Sequence, residues 1–253
     1  MNNLMNFPLL VLVLSLVLLW FASNLGAFLG QRLRPLKEEE RDDFGVVQAA
    51  ILTLLALLIG FTFSISVSRY DQRKNYEEAE ANAIGTEYVR ANLLPAADAA
   101  TVRDLLRKYL DQRILFYKAR HKSELERINA STALLQTELW SGVQAPALAL
   151  PTPVMALAVS GMNDVLNSQG YTQFAWGYHI PGEAWALMIV IALFSNLLVG
   201  YGVHRKNSLF FLALPLAVAL AFFLIADIDS PRRGLVRVQP RNLVSLAQSL
   251  QAP

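Results

Sequence analysis

The chain has 253 residues, of which 54% are hydrophobic and only 17% charged, whereas an ordinary soluble domain carries about 25% charged residues. A net charge of +2, with no basic stripe interleaved with aromatics, argues against nucleic-acid binding, so no nucleic-acid partner is expected. The absence of cysteine excludes disulfides, thiolate catalysis and thiolate metal sites.

The first long apolar block covers about residues 7–30 and contains no charge. It exceeds the ~20 residues needed to cross a bilayer. It also lacks the basic start of a signal peptide and is longer than the usual apolar core of one. Near its end, Gly26 and Gly30 form a small-residue pair extended by Ala22, which predicts close helix packing.

The second block covers about residues 46–68. Within it, "GFTFSISVSRYDQR" alternates polar and apolar residues from Thr62 to Ser68, a spacing that by itself suggests a strand. A lone strand in lipid would leave its backbone unpaired, so a helix is expected. On a helix the hydroxyls divide into two stripes. Thr62 and Ser66 continue into Arg69 and Arg73. Ser64 and Ser68 reach back to Gly60 and Thr53 and forward to Asp71. These hydroxyls either pack against neighbouring helices or line a water-filled path with Phe61 or Phe63 as its constriction. No proline falls between Val46 and Leu94, so one helix, roughly 70 Å long in all, is predicted to leave the membrane and continue into water.

Residues 69–180 are polar enough for water. Glu77, Glu78 and Glu80 are expected on a solvated helix face. Pro95 separates this helix from an amphipathic one carrying Leu105, Leu106, Tyr109, Leu110, Phe116 and Tyr117. Ser123 and Glu126 have capping-box spacing before a further helix. "PALALPTP" predicts a break near 145–153. A helical pattern then runs through Met155, Met162, Val165 and Leu166, and "NSQGYTQFAWGYHIPGE" is expected to be an aromatic-rich loop.

Two more blocks, about 183–203 and 208–226, complete four predicted crossings. Trp20, Trp185 and Tyr201 near block ends suit the headgroup level. Pro215 should kink the fourth helix. The expected fold is an all-α polytopic membrane protein. Hairpins at 1–68 and 181–226 flank a soluble helical region at 69–180, and 227–253 form a short tail.

With four crossings, Arg69, Asp71 and Arg73 lie at the same membrane level as Asp227, Asp229, Arg232 and Arg233. Ion pairs between the hairpins and ordinary interfacial charge both fit. Orientation is not set by charge. Six cations in the hairpin loops (Arg32, Arg34, Lys37, Arg41, Arg205, Lys206) oppose seven on the other side (Arg69, Arg73, Lys74, Arg232, Arg233, Arg237, Arg241).

His121, His179 and His204 lack metal-site spacing, and no phosphate loop, nucleophile elbow or metalloprotease motif occurs. No enzyme activity, cofactor or metal is expected.

The run from Gly60 to Arg90 resembles the signature of the bestrophin-like membrane proteins. It carries Gly60-Phe61, Phe63-Ser64, Ser68-Arg69-Tyr70-Asp71, Arg73 and "EANAIGT". "DIDSPRRGLVRV", Asp227 to Val238, is a second match. The likeness extends to bestrophins proper, which have four membrane helices, a cytosolic helical region and a pentameric ion channel lined by the second helix. It implies a cell (inner) membrane location, with the termini and soluble region cytoplasmic, a homo-oligomer in a lipid bilayer, and small ions as cargo. The acidic calcium cluster of animal bestrophins is replaced here by Arg232, Arg233, Arg237 and Arg241, so calcium gating is not implied.

Two functions are carried forward. The first is an oligomeric channel for small ions, with Thr53, Gly60, Phe61, Phe63, Ser64 and Ser68 along the path. The second is a non-conducting structural or regulatory membrane protein whose cytoplasmic helices bind a partner.

Overall fold

The computed structural model describes residues 7–32, 36–203 and 210–251. Arg34, His204, Arg205, Lys206 and the predicted start of the fourth crossing at 208–209 lie outside them. The described residues form helices and no strand. In chain order these are α1 (Pro8–Arg32), α2 (Arg41–Arg90), α3 (Ala96–Lys118), α4 (Lys122–Ala149), α5 (Pro153–Gly177), α6 (Gly182–Gly202), α7 (Phe210–Asp229) and α8 (Arg241–Ser249). Short 3-10 turns, Glu38–Glu40 and Ala91–Leu93, bound α2. The opening alternation is therefore helical, within 50 unbroken residues.

Two compact units share the chain. One holds the chain up to Tyr70 with His179–Arg237, and the other holds Asp71–Tyr178 with the chain from Val238 onward. Four helical segments are long and apolar enough to cross a membrane. The molecule is an all-α polytopic membrane protein.

In the membrane unit α1 packs extensively on α6 and α7. Lipid tails are as apolar as leucine, so close backbone approach replaces the hydrophobic drive of a soluble core. Glycines make that approach possible. A Cβ on Gly26 would stand 1.9 Å from the Leu197 carbonyl oxygen, and one on Gly200 would stand 1.9 Å from that of Ser23. Ser23 Oγ donates to Asn196 Oδ1 across this crossing at 3.3 Å, with both residues buried. Val11, Leu19, Leu55, Met188, Phe222 and Ile225 form the core. Trp185 is buried and edge-on to Phe222. Its ring completes the helix packing. α7 runs unbroken through Pro215.

In the second unit α3 packs on α4, and α4 on α5. Val102, Leu106, Tyr109, Leu139, Val143 and Met162 are fully buried at helical spacing. Three local expectations are corrected. α4 starts at Lys122 with His121 at its N-cap and no side-chain cap bond, which places Ser123 inside the first turn rather than at a capping box. The predicted break at 145–153 narrows to 150–152, because α4 accommodates Pro146 in its last turns. The predicted aromatic loop is mostly helix. Ser168, Thr172, Ala175 and Trp176 continue the buried face of α5, and Gly170 meets only open space.

Candidate functional site

The crossing half of α2 presents two different faces. Leu55, Thr62 and Ser66 are buried, with Thr62 and Ser66 hydroxyls bonded back to the Leu58 and Thr62 carbonyls. Thr53, Gly60, Ser64 and Ser68 are exposed. A Cβ on Gly60 would meet nothing within 4 Å, so packing within the subunit does not require glycine there. Phe61 is 61% exposed and Phe63 40%. Phe63 and Gly60 line an open groove with Leu214, Ala217, Ala221 and Leu224 of α7.

Arg69, His179 and Asp229 meet at the end of α7. Asp229 is 4% exposed and ties three segments together. Its Oδ2 accepts from the Ile180 N–H at 3.0 Å, Arg69 Nη1 donates to its Oδ1 at 3.4 Å, and His179 Nδ1 lies 3.5 Å from Oδ2. Asp227, proposed from sequence as an ion-pair partner, takes backbone donors instead. Leu235 N–H lies 2.6 Å and Val236 N–H 2.8 Å from its carboxylate. The tight turn after α7 brings those amides within reach. Gly234 permits this turn, since its Cβ would stand 2.1 Å from the Asp227 carbonyl oxygen. Arg233 stacks over Phe7 at 4.1 Å.

In the other unit, Arg73 is buried and donates to the carbonyls of Ala175 and Tyr178, each at 3.1 Å. Asp71 is exposed. The expectation of a solvated acidic face holds for Glu78 alone. Glu77 and Glu80 are buried, as is Glu87. The reason is helical phase. Arg73, Glu77, Glu80, Ile84, Glu87 and Ala91 recur every three or four residues, so they share one stripe turned into the unit.

Each buried acid has a different environment. Glu77 accepts from the Leu243 N–H at 3.0 Å and Asn242 Nδ2 at 2.7 Å, at the first turn of α8. Glu80 pairs with Arg113 Nε, both groups fully buried, and accepts from the Tyr117 and Thr172 hydroxyls at 3.2 Å each. Burial, followed by the nearby Glu80 charge, pushes the Tyr109 and Tyr117 hydroxyls well above the usual range, so both stay neutral. Glu87 has no hydrogen-bond partner on either oxygen among the described residues. Sequence inspection missed this stripe because charged residues on an extended helix read as solvent-facing. The i, i+3, i+4 repeat with Ile84 and Ala91 is the signal that could have revealed it.

The family model for the Bestrophin-like domain matches residues 12–243. Among solved structures, a crystal structure of a point variant of a bacterial Bestrophin homolog from Klebsiella pneumoniae has a TM-score of 0.65 at 14% identity, covering 97% of this chain and 99% of its own. Another variant of such a homolog from Klebsiella pneumoniae has a TM-score of 0.63 at 14% identity, covering 93% and 98%. A crystal structure described as a membrane protein has a TM-score of 0.64 at 15% identity, covering 97% and 99%. Identities this low establish a shared fold. No curated protein matches the chain.

Proposed function

Since the chain belongs to the Bestrophin-like family, we propose that it assembles as a homo-oligomer in the cell (inner) membrane and passes small ions along a path lined by α2. The observation that carries this reading is the exposed arc of α2. Thr53, Gly60, Ser64 and Ser68 turn away from their own subunit within an apolar crossing. Hydroxyls suit a wetted surface better than lipid, and copies placed around an axis would supply one. Pentameric stoichiometry and a cytoplasmic soluble unit come from the likeness to bestrophins.

The arc also distinguishes the two phenylalanines. Residues two apart on a helix point about 160° apart, so Phe61 and Phe63 cannot both face the axis. Phe61, the more exposed, is assigned the constriction, and Phe63 stays beside α7. At the mouth, Arg69 is held by Asp229 and Arg73 by backbone carbonyls. Asp71 continues the Ser64 and Ser68 stripe by helical spacing, and a ring of Asp71 would favour cations.

The test is ion flux from liposomes containing the purified chain, together with its oligomeric mass in detergent. The expected result is an oligomer that conducts. Phe61→Ala should raise flux severalfold, Ser64→Leu should lower it, and Asp71→Asn should reduce the preference for cations. A monomer without flux would overturn the proposal and favour a non-conducting structural or regulatory role.

A further inference from the structure

Of the three acids on the buried stripe of α2, Glu87 alone lacks a donor. It is fully buried, and neither carboxyl oxygen has a hydrogen-bond partner among the described residues. It lies against α5 at Gly161, where a Cβ would stand 2.0 Å from Glu87 Oε2 and 2.7 Å from Arg90 Nη1. A glycine in α5 thus makes the space that a carboxyl from α2 fills. Holding a charge there without a donor is costly, whereas a protonated carboxyl is far less so.

The charged surroundings are few. Arg90, one turn further along α2, favours the ionised form, and Asp164 on α5 opposes it. α3 brings Arg103 and Arg107, whose guanidinium groups sit 5.6 and 5.3 Å from the ring centre of Tyr88. α4 has no titratable side chain after Glu138. Burial outweighs Arg90 and pushes the Glu87 carboxyl up to about 8.

We infer that Glu87 is a proton-binding site that controls how α2 seats on α5. With its proton, the carboxyl fills the space at Gly161. On ionisation the proton passes to bulk water, the carboxylate turns to Arg90, and the contact at Gly161 loosens. The ligand is the proton itself, and the inference does not depend on ion conduction.

The experiment uses the full chain in detergent. The Glu87 carboxyl is titrated by infrared difference spectroscopy against Glu87→Gln, and amide hydrogen exchange is measured between about pH 6 and about pH 10, corrected for intrinsic base catalysis. The wild type should keep a protonated carboxyl band at neutral pH that is absent from Glu87→Gln. Exchange in segments 84–92 and 157–165 should rise ~10-fold across the range, equivalent to ~1.4 kcal/mol. Glu87→Gln should show no such rise. Arg90→Gln should carry the band to higher pH, which tests the site even if Glu87→Gln does not fold. Loss of the band in the ordinary carboxylate range, or equal exchange profiles for wild type and Glu87→Gln, would overturn the inference.

Discussion

Replacing Glu80 by glutamine keeps the shape of the side chain and removes its charge. Arg113 then remains fully buried and cationic, with no carboxylate beside its Nε. Its Nη1 and Nη2 have no hydrogen-bond partner among the described residues to take over, and the Phe116 ring lies 4.4 Å from the guanidinium carbon. Removing one member of a buried pair costs about 3–5 kcal/mol, and the cation–π contact with Phe116 is already made in the wild type, so it does not offset the loss. At about 2–4 °C per kcal/mol for a chain of this size class, the melting temperature should fall by roughly 6–20 °C. The assay is thermal unfolding of the detergent-purified chain by circular dichroism. Trp176 fluorescence adds a local probe, since that ring lies 5.3 Å from both Phe116 and Tyr117. The double variant Glu80→Leu with Arg113→Leu removes both charges and should recover most of the loss, because a buried pair is often no better than apolar packing. If Glu80→Gln costs less than about 1 kcal/mol, Arg113 is solvated and the argument from desolvation is wrong.

Four further outcomes are expected. Gly200→Ala should lower stability by about 1–3 kcal/mol or block folding, because its Cβ meets backbone rather than a movable side chain, as the yield of folded detergent-purified protein will report. Gly60→Ala should leave the melting temperature unchanged or higher, since helix propensity favours alanine by up to about 1 kcal/mol, and any effect should appear in flux. Glu77→Ala should remove the acceptor at the start of α8 and cost about 1–2 kcal/mol, with faster amide exchange across 241–249. Stability should also fall as pH rises from 4.5 to about 8 and level off above, because folded Glu87 retains a proton that the unfolded chain has released. This contribution is at most about 4–5 kcal/mol, and calorimetric unfolding of Glu87→Gln should lack it.

Much of the architecture is readable from residue order. Long uncharged runs predict the crossings, because bilayer thickness sets a length that few soluble helices meet. The proline-free span after Val46 predicts the continuity of α2, and Gly26 and Gly30 mark a close helix contact. Local punctuation misled where burial overrode it. Pro146 sits inside α4, and the glycine-containing aromatic run from Asn167 continues α5. α8 lies within the tail expected from residue order and is a nine-residue helix that buries Leu243.

The sequence by itself determined that this is a helical membrane protein with a polar helical insertion, since uncharged runs of bilayer length satisfy their backbone in lipid as helices, and a barrel would need many alternating segments. It also placed Gly60, Ser64 and Ser68 on one stripe. Tertiary structure decided which stripe turns outward, that Asp227 serves backbone amides while Asp229 holds Arg69, and that Glu77, Glu80 and Glu87 are buried. Helical periodicity groups residues onto faces, but only the packing partners of each face determine whether a carboxylate meets water, an arginine or a glycine.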